Sequence, residues 1–197
     1  MINRMELIAL TIVSFLAGAG ASSAHPDVSV ASRILLDLDG GRLTGFATLM
    51  GFDTGTSRRL FIQADHDADG QLSISETEDL KQVMLERLKR MSAFTEVKRE
   101  AQAIALPDIS FSRLVYADGA LRLTLAYRFP EPVEVSGKGV DILLRDRDLA
   151  LAFRLDPQLP VVLRGEAAGC AATVARRAEE AYFGGLVVPD VVTLTCR

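Results

Sequence analysis

The residues best placed to do chemistry lie in one short segment, residues 65–76, which reads DHDADGQLSISE. Its carboxylates at positions one, three, five and twelve, with glycine at position six, follow the template of an EF-hand calcium loop. The glycine permits the sharp turn that makes the carboxylates converge, and hard oxygen ligands favour Ca²⁺ over softer metals. The predicted ligands are Asp65, Asp67, Asp69, the carbonyl of Gln71, Ser73 and Glu76.

The same segment also fits two simpler interpretations. Ser73 and Glu76 match a capping box that opens a helix, and an acidic turn can be solvated surface. We favour calcium because a cap can coexist with an ion, whereas aspartates aimed at one point repel each other when nothing lies between them. His66 is predicted to point away from the ion. Only one such loop is present, so we expect Leu72 to pack on the β-rich body or on another subunit, and a weak affinity of about 10⁻⁴ to 10⁻³ M that suits a structural ion.

A second string, residues 52–57, reads FDTGTS and matches the signature of aspartic proteases. Catalysis by that signature requires two aspartates that share a proton, so a chain of this size would have to form a dimer that pairs two copies of Asp53. The alternative is that Asp53 is the N-cap of a helix. We favour the cap and predict a protein that is not an enzyme. His25 and His66 are the only histidines, and neither belongs to a recognisable hydrolase motif.

The amino-terminal residues have the composition of an export signal. Residues 1–24 combine a positive start, a short apolar core and small residues before the expected cleavage site. We therefore predict a signal peptide over residues 1–24, a mature protein that begins at His25, and one domain over residues 25–197. The alternative is an uncleaved membrane anchor, which we disfavour because the apolar stretch is too short for a bilayer span. The predicted location is the periplasm, with no membrane insertion after cleavage.

Charge and cysteine content narrow the choice of partners. The net charge is −4 and there is no basic run, so nucleic acid is excluded and no polyanionic partner is expected. The two cysteines, Cys170 and Cys196, lie in the exported part of the chain, where a pair of thiols usually becomes a disulfide.

The remaining pattern predicts an α+β fold, with a β-rich antiparallel body and one inserted helical pair over residues 53–93. A hairpin over residues 28–37 and 42–50 comes first. One helix should run from Asp53 to about residue 64 and a second over residues 75–92. Its buried stripe is predicted to be Leu80, Val83, Met84, Leu88 and Met91. Further strands are predicted over residues 95–97, 110–116, 120–129, 140–145, 149–155, 161–163 and 191–196, with prolines between them.

The order of these features resembles a known bacterial family. A mature start at His25-Pro26, the string F-D-x-x-x-S, the acidic loop, F-T-x-V, A-D-G-A-L-R-L-T-L and a terminal cysteine are similar to the periplasmic domain of unknown function one thousand and seven. The resemblance implies an accessory role in transition-metal transport, of the nickel, cobalt or zinc type, with a membrane metal transporter as the partner. Family members begin H-P-H-V-W, whereas here Asp27 replaces the second histidine, so His25 and Asp27 are the candidates for a second metal site.

Overall fold

The computed structural model describes residues 28–91, 94–148 and 150–197. The predicted signal peptide, His25 and Asp27 lie outside these residues. The helices are α1 (Thr54–Ala64) and α2 (Ile74–Arg90). The strands are β1 (Val28–Asp39), β2 (Arg42–Phe52), β3 (Thr95–Arg99), β4 (Gln102–Ile104), β5 (Ile109–Ala117), β6 (Ala120–Glu134), β7 (Val140–Leu144), β8 (Leu151–Leu155), β9 (Val161–Gly165), β10 (Cys170–Arg176) and β11 (Asp190–Cys196).

The strands form two sheets that share one core. The first sheet has the order β5-β6-β2-β1-β8, with β9 also paired to β1, and the second has the order β10-β11-β7-β3-β4. Period-two alternation directs one face of each sheet into the core, because successive side chains point to opposite faces. The buried side chains that meet there come from the first sheet (Val30, Ile34, Leu36, Phe46, Leu121, Leu123, Leu125) and from the second (Val97, Val140, Ile142, Val192, Leu194).

The α+β class with a β-rich body is confirmed, but the expectation of a wholly antiparallel body is wrong. Both β8 and β9 run parallel to β1. Only strands joined by a hairpin must be antiparallel, and the chain reaches β8 from β7, which belongs to the other sheet. β8 and β9 therefore pair with successive parts of β1, and the segment between them contains Pro157 and Pro160.

Both predicted helices are present, and their ends follow the local signals. α1 begins after Asp53 and α2 begins after Ser73, whose side chain caps it. Four helical residues belong to the core: Ala64, Leu80, Leu85 and Leu88. The predicted stripe on α2 is wrong in part, since Val83 is 51% exposed, Met91 is 38% exposed, and Leu85 is buried in their place. The helices contact β5 and β6. The face of α2 that is buried there is therefore rotated from the face that the spacing predicted.

The predicted strands are confirmed with small changes in their bounds, and two strands were not predicted, β4 and β10. Pro130 and Pro132 lie inside β6 rather than after it. They occupy the part of β6 where its pairing with β2 is interrupted, between Arg128 and Val133. A proline is tolerated there because no ladder hydrogen bond needs its missing N–H group.

The predicted disulfide between Cys170 and Cys196 is confirmed, and it joins the paired residues at one end of β10 and β11. Among the residues that the structure describes, no helix is both long enough and apolar enough to cross a membrane.

Candidate metal site in the acidic loop

The acidic segment connects the two helices. Asp65 follows α1 directly, and its backbone N–H donates to the carbonyl of Phe61 at 2.9 Å. Ser73 is the N-cap of α2. The carboxylates of the loop are therefore supplied by a short connection whose two ends are fixed by helices.

Three of the predicted ligands lie together. Asp65, Asp67 and Glu76 each present a carboxylate oxygen within 4.8 Å of the other two. Asp69 lies outside this cluster, and its Oδ1 accepts a hydrogen bond from the N–H of Gln71 at 2.7 Å. The structure thus brings positions one, three and twelve of the loop to one point, and it leaves the position-five carboxylate engaged with the backbone.

Backbone N–H groups turn inward to the same carboxylates. The N–H of Gly70 donates to Asp65 Oδ2 at 3.1 Å. The N–H of Asp69 donates to Asp65 Oδ1 at 3.1 Å and to Asp67 Oδ1 at 3.2 Å. Gly70 has φ +80°, a left-handed conformation that glycine adopts without strain. The sharp turn predicted at this glycine is confirmed, and it curls the loop around its own side chains.

Glu76 ties the two ends of the loop together. Its side chain is buried, its Oε1 accepts from the N–H of His66 at 2.7 Å, and its Oε2 accepts from the N–H of Ser73 at 2.9 Å and from Ser73 Oγ at 2.7 Å. These donors, the Ser73 backbone first, lower the pKa of Glu76 to about 2. The capping box is confirmed, and it keeps Glu76 ionised and aimed at the aspartates.

The loop is also attached to the first sheet. Leu72 packs against the main core, as expected for a loop without a sister loop, and the rings of Phe61 and Tyr116 are 4.6 Å apart. Tyr116 belongs to β5, the edge strand beside the helical pair. The loop is therefore packed against a strand of the sheet, which favours a carboxylate cluster that is preformed before any ion binds.

The donor set fits a hard divalent cation. All three clustered groups are carboxylates, and a hydroxyl and a backbone carbonyl are available in the same loop from Ser73 and Gln71. Oxygen-only ligand sets suit Ca²⁺ or Mg²⁺, while zinc and nickel prefer nitrogen or sulfur. His66 is exposed on the loop and does not join the cluster. The residues present therefore fit Ca²⁺ and do not suggest a zinc or nickel site at this place.

The string FDTGTS, residues 52–57, contains the start of α1. Asp53 Oδ1 accepts from the N–H of Thr56 at 2.8 Å, and Oδ2 accepts from Thr56 Oγ1 at 2.9 Å and from the N–H of Ser29 at 3.1 Å. These bonds, the Thr56 backbone first, lower the pKa of Asp53. The predicted N-cap is confirmed, and both carboxylate oxygens accept hydrogen bonds, from Thr56 in the first turn of α1 and from Ser29 of β1.

Ser57 has a role that sequence reasoning missed. It is fully buried, its Oγ donates to the carbonyl of Phe52 at 3.1 Å, and the same oxygen accepts from the N–H of Leu121 at 2.9 Å. Ser57 thereby fastens the first turn of α1 to the start of β6. The spacing F-D-x-x-x-S contains the signal, because a serine one helical turn after a cap faces the same side.

The chain is thus an α+β protein of two facing sheets that holds a candidate metal loop between two helices. It belongs to the family described as protein of unknown function (DUF1007), whose match covers residues 10–182. The resemblance noted from the sequence is confirmed at the level of the family. A search among curated proteins found no match.

Proposed function

We propose that this protein is a calcium-binding protein of the periplasm, and that its loop is of the EF-hand type and holds one structural Ca²⁺. The observation that carries the proposal is the convergence of Asp65, Asp67 and Glu76 in a loop that also matches the calcium template in sequence. In this proposal Asp69, Gln71 and Ser73 complete the oxygen shell when the ion binds. The ion neutralises the clustered carboxylates and fixes the end of α1 to the start of α2.

Location in the periplasm is supported by the composition of residues 1–24 and by the disulfide between Cys170 and Cys196. Disulfides persist in oxidising compartments and are rare in the cytosol. Together these features favour an exported protein. Free calcium outside the cytosol is also high enough to fill a weak site.

An accessory role in transition-metal transport, with a membrane metal transporter as the partner, is the wider context of the proposal. It is supported by the family resemblance, and the protein acts there without enzymatic activity of its own. His25 and Asp27 are the proposed second metal site, which would use the freed amino group, the imidazole and the carboxylate. Pro26 removes a backbone N–H that tight terminal chelates use, so this site should be weak.

Thermal unfolding with and without calcium tests the central proposal. Millimolar Ca²⁺ should raise the melting temperature of the wild-type protein, because a ligand of the native state stabilises it. Asp67→Asn and Glu76→Gln should lose most of that response. Asp79→Asn is the matched control, since Asp79 is an exposed acid on α2 outside the cluster. Identical wild-type melting curves with and without calcium would falsify the calcium proposal.

Titration calorimetry with zinc and nickel tests the second site separately. Weak binding to the mature protein should vanish in His25→Ala and when one extra residue precedes His25, while the calcium response survives both changes. Tight binding that persists in His25→Ala would show that the transition-metal ligands lie elsewhere. Elemental analysis of mature protein from the periplasm completes the test, since zinc or nickel in addition to calcium is expected only of a transport accessory.

A further inference from the structure

The outer face of the first sheet collects arginines from five strands. Alternation along the strands places these side chains on the face that points away from the core. No lysine belongs to this set. We call this surface the arginine face, and its six arginines are Arg33, Arg113, Arg122, Arg128, Arg154 and Arg164.

The strand register sets two of these arginines in one row across the sheet. Arg113 of β5 lies opposite Thr124 of β6, Thr124 lies opposite Leu49 of β2, and Leu49 lies opposite Arg33 of β1. Strands are about 4.8 Å apart, so three spacings separate Arg113 from Arg33 by about 14 Å. The row therefore has an arginine at each end, with Thr124 and Leu49 between them, and the arginine at the β1 end is paired with Asp156.

The neighbouring row repeats this arrangement one strand further along. Arg122 of β6 lies opposite Gly51 of β2, Gly51 lies opposite Ala31 of β1, and Ala31 lies opposite Arg154 of β8. Two rows thus run side by side across the sheet, and each has an arginine at both ends and shorter residues between them.

The six arginines outnumber the acids that pair with them on this face, although the whole chain has a net charge of −4. Two acids on the face are already paired, Asp156 with Arg33 at 2.7 Å and Asp37 with Arg164 at 2.7 Å. Arg122 lies 3.9 Å from Asp118, an exposed residue of the β5–β6 turn.

The other three arginines, Arg113, Arg128 and Arg154, are exposed, and their side chains have no hydrogen bond or ion pair to any residue in the described parts of the chain. Like charges gathered without partners repel one another, so they contribute nothing evident to folding. Unpaired guanidinium groups on an open sheet face are therefore available to an external ligand.

A groove lies between the charged ends of the two rows. Its volume is about 430 Å³, and its lining residues include Arg33, Arg113, Arg122 and one acid, Asp156, which is paired with Arg33. Its lining also includes Ala31, whose side chain is a single methyl group, and Gly51, which has no side chain. Side chains of a bound segment would enter this space from above.

We propose that the arginine face is a docking surface for an acidic, extended segment of a partner protein. Guanidinium groups bind carboxylates through two parallel hydrogen bonds, which explains arginine rather than lysine at these positions. An extended chain advances about 3.3 Å per residue, so about four residues span the 14 Å between the ends of a row. The half-exposed Leu49 and Val115 supply apolar contacts inside a charged rim, as protein interfaces do.

The shape of the face favours a protein segment over a membrane. Surfaces that insert into lipid present apolar side chains that project beyond the charged ones. Here Leu49 and Val115 line the groove and are only half-exposed, whereas Arg113 and Arg122 beside them are exposed. A planar bilayer would contact the arginines and leave the groove empty.

Fluorescence anisotropy with a labelled hexaglutamate peptide tests this proposal, in a chelator so that the calcium loop takes no part. Wild-type protein should bind the peptide, and binding should weaken as salt rises from about 50 mM to about 300 mM, because surface charge is screened. Arg113→Glu/Arg122→Glu should raise the Kd about tenfold or more, since two attractive charges become repulsive. Arg113→Gln/Arg122→Gln should give a smaller rise.

The matched control is Arg58→Glu/Lys138→Glu, which makes the same change of charge at two exposed residues on other elements. It should change the Kd less than about twofold, because these residues are outside the face. Equal losses in both charge-reversed proteins would overturn the proposal, as would the absence of peptide binding by the wild-type protein, whether or not it binds phosphatidylglycerol vesicles. Displacement of the peptide by millimolar inorganic phosphate would also overturn it in favour of a phosphate site. Unchanged circular dichroism and melting temperature of each variant exclude misfolding as the cause.

Discussion

The acidic loop and the arginine face carry opposite charges, and they come from the sequence in opposite ways. The loop takes its carboxylates from a single run, residues 65–76, and its geometry depends on turns and caps within that run. The arginine face takes its charges from residues 33 to 164, and no two of its six arginines are neighbours in the chain.

The contrast explains why net charge alone does not describe the surface that a partner would meet. The value of −4 and the absence of a basic run led to the expectation that no polyanion binds this protein. Strand order gathers arginines that are isolated in the sequence onto one surface. A chain of mild overall acidity can therefore present a basic surface, because charge acts locally once solvent screens the distant groups.

The largest effect should come from the side chains that hold the sheet under the arginine face. Leu123→Ala removes a fully buried leucine of β6 and should lower the free energy of unfolding by about 2–5 kcal/mol. Leu49→Ala on the outer face of β2 is the matched control and should cost about 1 kcal/mol or less, because Leu49 is half-exposed. Urea unfolding measures both, and equal losses would contradict the assignment of the two faces.

A smaller loss of stability is expected when the N-cap of α1, the helix before the acidic loop, is removed. Asp53→Ala should lower the free energy of unfolding by about 0.5–2 kcal/mol, and Asp53→Asn should be milder because asparagine also caps helices. The same proteins test the protease alternative. Acid-dependent peptide cleavage by the wild type that disappears in Asp53→Asn would establish catalysis and displace the cap as the main role of this residue.

A pH-dependent effect is expected within the loop. The pKa of Glu76 is lowered from 4.5 to about 2 in the folded protein, so the unfolded chain binds the extra proton between these values. The stability that ionised Glu76 provides is therefore complete above about pH 4.5 and is lost as the pH falls toward 2.

Melting temperatures in calcium-free buffer measure this effect of Glu76. The difference between wild type and Glu76→Gln should shrink as the pH is lowered from 6 toward 2. Glu86→Gln, an exposed change on the same helix, should show no such trend. A difference between wild type and Glu76→Gln that stays constant over this range would contradict the bonding of Glu76 to the two ends of the loop.

The smallest effect is expected at the unpaired arginines. Arg128→Gln should change the free energy of unfolding by about 0.5 kcal/mol or less, because Arg128 is exposed and has no partner among the described residues. Arg164→Gln, which breaks the surface pair with Asp37, should cost about 1 kcal/mol at most. A large loss in Arg128→Gln would mean that the arginine face serves folding rather than binding.

Much of the local structure was readable from the sequence alone. The caps at Asp53 and Ser73, the hairpin turn before β2, the turn at Gly70 and the bounds of both helices follow from residues within a few positions of one another. The disulfide followed from there being only two cysteines. The interpretation of the loop as an EF-hand also rests on residues close together in the sequence, and it stays a prediction until calcium binding is measured.

Tertiary structure alone decided the rest, because those features depend on which strands become neighbours. One example is the parallel pairing of β1 with β8 and β9, and another is the hydrogen bond from the N–H of Leu121 to Ser57. A third is the burial of Leu85 in place of Val83. Each depends on contacts between residues that are far apart in the sequence. The arginine face belongs to the same group. Alternation along a strand fixes which residues share a side, but only strand order and register bring Arg33 and Arg113 into one row.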